Sequence, residues 1–140
     1  MISVLLVDDN GPIRKSLRSL LEASEDIQIV ATATNGVDAV DKASSYRPDV
    51  AVMDISMPLM DGLEATEHIR ECCRLTRVIL LSGFDLPEYI QRAVDVGAKG
   101  YVLKDSASED LLKAIHVIQQ GSRFFSEKIA AIAEQYLAGK

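Results

Sequence analysis

Short unbroken apolar runs alternate along this chain with longer segments in which apolar residues recur at spacings of three and four. The first kind of pattern predicts strands buried on both faces, and the second predicts amphipathic helices laid against them. Val4-Leu5-Leu6-Val7, Val50-Ala51-Val52-Met53 and Val78-Ile79-Leu80-Leu81 are continuously apolar and predict central strands of a parallel sheet. Ile27-Gln28-Ile29-Val30 alternates in part and Tyr101-Val102-Leu103 is short, which suits strands nearer the edges. Helices are predicted around Ile13, Leu17, Leu20 and Leu21; around Val37 and Val40; around Leu63, Thr66, Ile69 and Cys73; around Ile90, Ala93 and Val94; and around Leu111, Ile115 and Ile118. Pro12 and Pro87 fall where a first helical turn tolerates proline, and Gly97 and Gly121 where a left-handed residue closes a last turn. Ser106 and Glu109 have the spacing of a capping box for the fifth helix.

Five such strand and helix units with right-handed crossovers leave few topologies. The predicted fold is α/β: a flavodoxin-like, doubly wound, five-stranded parallel sheet in the order 2-1-3-4-5, with helices on both faces. That order puts the three most apolar runs in the middle. No Pro/Gly/Ser-rich linker or charge block interrupts the pattern, and 140 residues suit one domain. After Gly121 the pattern weakens, and residues 126–140 offer one short helix with Ile129, Ile132, Ala133, Tyr136 and Leu137 on a rough stripe.

Composition narrows the function classes. The chain is 48% hydrophobic and 26% charged, as an ordinary folded domain is. Its net charge of −6 repels a phosphate backbone, so direct binding to nucleic acid is not expected. No apolar run reaches the ~20 residues that span a bilayer, and the first residues carry no basic stretch, so a cytoplasmic protein without membrane contact is expected. Cys72 and Cys73 are adjacent, too constrained for an ordinary bridge, and read as reduced thiols.

In a sheet of this topology, ligands bind beyond the carboxyl ends of the strands where the order reverses. The residues there are Asp8 and Asp9 after the first strand, Asp54 after the third, Ser82 after the fourth and Lys104 after the fifth. Singly, each has an ordinary reading as a cap, turn former or loop residue. Jointly, they deliver polar groups to one rim. Three carboxylates brought together repel by roughly 1 to 4 kcal/mol per pair at 4 Å, which a hard divalent cation such as Mg²⁺ offsets. Lys104 adds a compact positive charge that favours an anion beside them. Asp54 stands between the acidic pair and the Ser82/Lys104 side, so it is the candidate nucleophile toward a phosphoryl group, with an acyl phosphate as product. Ser82 is placed to donate a hydrogen bond to a phosphoryl oxygen. Met57 and Met60 read as packing, and His68 and His116 as solvated or packed side chains rather than metal ligands.

The segments Val7-Asp8-Asp9-Asn10, Met53-Asp54-Ile55-Ser56-Met57-Pro58-Leu59-Met60-Asp61-Gly62, Leu81-Ser82-Gly83 and Gly100-Tyr101-Val102-Leu103-Lys104-Asp105 together resemble those of bacterial two-component response regulator receiver domains. The resemblance, to the CheY-like fold in its NarL/FixJ (LuxR-type) branch, covers residues 1–121, with 122–140 left as a linker helix. It implies that Asp54 is the phosphoacceptor, Asp9 a direct Mg²⁺ (or Mn²⁺) ligand, Asp8 its acidic partner and Ser56 a backbone-carbonyl ligand. It further implies that Lys104 is the paired cation, and that Ser82 and Tyr101 switch the surface of the fourth helix, fifth strand and fifth helix. The implied partners are a sensor histidine kinase, a second copy on phosphorylation, and DNA only through a helix-turn-helix output domain not seen in this chain. The implied activity is self-phosphorylation and self-dephosphorylation without enzymatic turnover. A truncated regulator is favoured over a stand-alone receiver acting through protein contacts. A haloacid-dehalogenase-type phosphohydrolase fits poorly, since Asn10 stands where that family places its second aspartate, and a flavodoxin poorly, since the first loop is acidic.

Overall fold

Apolar runs without alternation can be buried only if both faces of the sheet are covered, and in the computed structural model, which describes residues 1–139, they are. Lys140, the last residue of the expected tail, lies outside the described residues. The elements follow in the order β1 (Ile2–Val7), α1 (Gly11–Glu22), β2 (Ile27–Ala33), α2 (Gly36–Tyr46), β3 (Val50–Asp54), α3 (Gly62–Cys72), β4 (Arg77–Ser82), α4 (Pro87–Asp95) and β5 (Gly100–Leu103). A single 3₁₀ turn (Lys104–Ser106), α5 (Ala107–Gln119), β6 (Phe124–Phe125) and α6 (Glu127–Ala138) complete the chain. All neighbouring strands pair in parallel, in the order β2-β1-β3-β4-β5-β6.

Successive strand residues feed opposite faces, which splits the core in two. Leu5, Val7, Ala51, Met53, Leu80 and Tyr101 pack with Ala39, Leu63, Ile69, Ile90 and Ala93 of α2, α3 and α4. Val4, Leu6, Val52, Ile79, Leu81 and Val102 pack with Leu17, Leu21, Leu111 and Ile115 of α1 and α5. Each fully buried aliphatic side chain contributes on the order of 1.5–3 kcal/mol, so both layers anchor the central strands between them.

Two expectations are corrected. The sheet has six strands, not five, because Phe124–Phe125 adds beside β5 through Phe124 N–H to Lys99 O (3.0 Å) and Ser126 N–H to Tyr101 O (3.0 Å). A two-residue strand leaves no periodic signal. Ser106 makes no capping hydrogen bond, because its φ of −103° and ψ of 2° close a 3₁₀ turn rather than open an extended cap. Asn10, Asn35 and Asp61 do cap, accepting from the amides of Ile13, Asp38 and Glu64. Pro12 and Pro87 lie in first turns, and Gly97 and Gly121 have φ of +86° and +95°.

The C-terminal segment joins the core. Ile129 and Ala133 are fully buried with the α4 side of the sheet, and Ile132 and Tyr136 pack against the same cluster. Ser126 pins the segment: its Oγ accepts from the Leu103 amide (3.1 Å) and donates to Asp110 Oδ2 (2.8 Å). Among the described residues no helix is long and apolar enough to cross a membrane. Replacing Ser126 by Ala leaves the buried Leu103 N–H without its acceptor, so urea denaturation is expected to register a loss of about 1–3 kcal/mol.

Candidate functional site

Register decides where the rim residues meet. Val7 pairs with Met53, Asp54 with Leu81, and Ser82 with Leu103, so β1, β3, β4 and β5 deliver the residues that end or follow them to one edge of the sheet. Asp8 is wholly buried and Asp54 is 3% exposed, whereas Asp9 is exposed. One carboxylate oxygen from each of the three lies within 4.8 Å of the others. Lys104 Nζ stands 3.2 Å from Asp54 Oδ2 and 4.0 Å from Asp8 Oδ2.

Asp8 is held by its surroundings. Its Oδ1 accepts from the Asn10 amide (2.9 Å), and its carbonyl accepts from Arg14 Nη1 (2.8 Å). Its Oδ2 is the one buried side-chain polar atom among the described residues that has no hydrogen bond. An orphaned carboxylate oxygen is costly, and in a cluster of oxygen donors it is what a hard divalent cation would satisfy. The donor set therefore fits Mg²⁺ or Mn²⁺. Among the described residues no second group of three metal-ligating side chains exists. His68 is exposed, and His116 is tied to Asp26 Oδ2 (2.6 Å) and Leu112 O (2.7 Å).

Burial, then the negative charge of Asp8, push the Asp54 carboxyl above its ordinary value of 3.8. Lys104 and the Ser56 backbone N–H act in the opposite direction without cancelling the rise. Ser56 itself is exposed in the loop that follows Asp54.

That loop is fixed by close backbone approach, which sequence reasoning did not resolve. Gly62 N–H donates to Ile55 O (2.8 Å), and a Cβ on Gly62 would collide with the Asp54 carbonyl oxygen. Gly36 N–H donates to Met60 O (3.0 Å), and a Cβ there would strike that same carbonyl. The signal for Gly62 was present as a glycine directly after a helix-capping aspartate. Gly36 carried the same signal after the capping Asn35, but nothing local showed that it would meet Met60 of another unit.

On the other side, Ser82 is buried and its Oγ accepts from the Phe84 amide (2.9 Å). Tyr101 is wholly buried, and its hydroxyl donates to the Phe84 carbonyl (2.7 Å). Burial raises the Tyr101 phenol above its usual value, with the Ser82 side chain as a hydrogen-bonding neighbour that opposes the rise. Phe84 in turn stacks on Tyr89 of α4, ring centroids 5.1 Å apart. Ser82, Tyr101 and α4 are thus joined through one residue. A small cavity of about 90 Å³ beside Lys104 is lined by Ser82, Gly83, Asp85, Leu103, Asp105 and Lys128.

Residues 4–116 match the model of the response regulator receiver domain. The chain is 41% identical over 130 residues to the transcriptional regulatory protein DesR of Bacillus subtilis, covering 92% of this chain and 64% of DesR. A LuxR-family two-component response regulator from Aurantimonas superposes with a TM-score of 0.91 at 31% identity, covering 99% of both chains. RcsB of Salmonella typhimurium superposes with a TM-score of 0.90 at 25% identity, covering 96% of this chain and 70% of RcsB. RcsB has also been solved as two dimers bound to two parallel DNAs. The chain spans about three fifths of the length of the curated relatives it matches.

A raised carboxyl pKa means that the folded chain holds the ionised form less well than the unfolded chain does. The cost is present at neutral pH and is relieved as pH falls through the raised value toward 3.8. In metal-free buffer at pH 7, Asp54→Asn is expected to be more stable than wild type by on the order of 1 kcal/mol. The difference should shrink as pH falls toward that ordinary value, as followed by denaturant melts across pH.

Proposed function

The chain belongs to the response regulator receiver domain family, in its NarL/LuxR branch, and on that premise we propose that Asp54 is its phosphoacceptor. The observation that carries this reading is the placing of the buried Asp54 carboxylate 3.2 Å from Lys104 Nζ and within one acidic cluster with Asp8 and Asp9. In the proposed reaction an Asp54 carboxylate oxygen attacks the phosphorus of a phosphodonor. The bond from phosphorus to the donor's leaving atom breaks, and an acyl phosphate forms. Lys104 offsets charge on the phosphoryl oxygens, and the Ser82 O–H, whose oxygen already accepts from Phe84, donates to one of them.

Asp8, Asp9 and Asp54, with the backbone carbonyl of Ser56, would hold Mg²⁺ or Mn²⁺. Such an ion, when bound, neutralises part of the phosphoryl charge. The orphaned Asp8 Oδ2 supports this assignment. Water attack on the phosphorus of the acyl phosphate releases inorganic phosphate and returns the carboxylate, so the protein acts as a timer that phosphorylates and dephosphorylates itself, not as a turnover enzyme.

Ser82 and Tyr101 are assigned as the switch. A Ser82 hydroxyl drawn toward a phosphoryl group changes the loop at Phe84, which holds the Tyr101 hydroxyl and stacks on α4. The surface that responds is α4, β5 and α5, with α6 lying against α4. We divide the chain at Gly121: residues 1–121 receive the signal, and 122–140 begin the linker. By analogy with relatives in which this region is about three fifths of the whole, a cytoplasmic location, a DNA-binding output domain, a sensor histidine kinase as donor and homodimerisation on phosphorylation complete the proposal.

Incubation with Mg²⁺ and acetyl phosphate, followed by intact mass measurement, tests it. One acid-stable, base-labile phosphoryl group per chain is expected, absent from Asp54→Asn and formed at least about tenfold more slowly in Lys104→Met, whose loss removes an electrostatic stabiliser. Labelling of Asp54→Asn at the wild-type rate, or turnover of many equivalents of a phosphomonoester, would contradict the assignment.

A further inference from the structure

The adjacent thiols Cys72 and Cys73 have no role in phosphoryl transfer, and they sit at the opposite edge of the sheet. They end α3 beside the starts of β3 and β4, in a cleft of about 330 Å³ lined also by Arg47, Asp49, Glu71, Arg74 and Thr76. Their sulfurs lie 2.7 Å apart. Cys72 is exposed and Cys73 is buried, so one thiol meets solvent and the second waits directly behind it. The backbone around them is held: Cys73 N–H donates to Ile69 O (2.7 Å), Arg47 Nη1 to Cys72 O (3.3 Å), and Thr76 N–H to Cys73 O (3.0 Å).

Geometry sorts what two such sulfurs can do. A direct disulfide is disfavoured, because Cα atoms of neighbouring residues stand about 3.8 Å apart across a trans peptide, short of the ~4.4–6.8 Å that unstrained disulfides span. A closed zinc site needs four ligands, and among the described residues no third metal-ligating side chain clusters with these two. A linear two-coordinate ion needs sulfurs on opposite sides, whereas these converge on the same side. What remains is a pyramidal, three-coordinate soft centre that takes two neighbouring sulfurs and keeps its third substituent. Trivalent arsenic is such a centre.

We propose that Cys72 and Cys73 form a dithiol capture site for organoarsenic(III) oxides at the C-terminal end of α3. The step balances without any change of oxidation state. An R–As=O group and two S–H groups give R–As(S)₂ and water: two As–S bonds form, and both thiol protons leave on the oxide oxygen. Cys72 reacts first because it is exposed. Burial and the neighbouring Cys72 thiol push the Cys73 thiol up to about 11, with Arg47 opposing. Cys73 thus arrives as a protonated thiol and supplies its proton in the ring-closing step. The gain over a single thiol is intramolecular, because the second sulfur is already at hand when the first has bonded.

The test uses the full chain, phenylarsine oxide and intact mass. Wild type is expected to gain one phenylarsenic group per chain with loss of one water. That adduct should resist excess glutathione and be stripped by dithiothreitol. In Cys72→Ser the adduct should be lost to glutathione roughly 100-fold faster, the scale set by effective concentration. Cys73→Ala, at a buried position, should behave alike, and Cys72→Ser decides alone if that variant does not fold. Equal retention by wild type and Cys72→Ser would overturn the site, as would one arsenic shared between two chains. Asp54→Asn should bind like wild type, which keeps this outcome separate from the phosphoacceptor reading.

Discussion

The three carboxylates of Asp8, Asp9 and Asp54 are held together against their own repulsion, and the arrangement of the rim follows from that constraint. Their oxygens lie within 4.8 Å of one another at the edge where β1 and β3 end side by side. Close like charges cost roughly 1 to 4 kcal/mol per pair, and Asp8 is buried as well. The fold meets part of that cost locally, with the Asn10 amide on Asp8 Oδ1 and Lys104 against Asp54. It leaves Asp8 Oδ2 without a hydrogen bond, with Lys104 Nζ no nearer than 4.0 Å. What the protein leaves unsatisfied is negative charge on clustered carboxylate oxygens, and a cation that takes oxygen ligands suits that site.

Holding such a cluster needs rigid support, and the two core layers provide it. Met53 and Leu80 pack to one face, Val52 and Leu81 to the other, so β3 cannot rotate Asp54 out of the rim without exposing one layer. The loop after Asp54 is pressed in by Gly62 and Gly36, neither of which could carry a side chain there. The other flank is built differently. Buried Ser82 at the end of β4 and buried Tyr101 in β5 are linked by hydrogen bonds to Phe84, which lies in the exposed loop that leads to α4. The acidic side is thus held by close backbone packing, and the Ser82 side by a hydrogen-bonded link through an exposed residue.

Most of this was legible in the order of residues. Continuous apolar runs at 4–7, 50–53 and 78–81 read as central strands because only a sheet covered on both faces buries every residue of such a run. The polar residue that ended each run then located Asp8, Asp54, Ser82 and Lys104 on one rim. The rest depended on contacts without a local pattern. Phe124 and Phe125 form a strand only because β5 offers them backbone partners, and Ser126 becomes a pin only once Leu103 and Asp110 meet it. Ser106 misled because the capping spacing says nothing of the 3₁₀ turn that precedes α5. Tyr101 read as a residue near the edge, yet it sits in the core layer with Ile90 of α4 and Ile129 and Ala133 of α6 and is wholly buried.

The claim that the acidic rim is a divalent-cation site waiting for charge is tested most directly by thermal melting of the wild-type chain against Mg²⁺. A ligand that binds only the folded state raises stability by RT ln(1 + [L]/Kd), so the melting temperature should climb with Mg²⁺ well beyond the effect of KCl at matched ionic strength. Asp9→Asn, which removes an exposed member of the cluster, should weaken that climb. A melting temperature that follows ionic strength alone, with Mg²⁺ and KCl interchangeable, would contradict it.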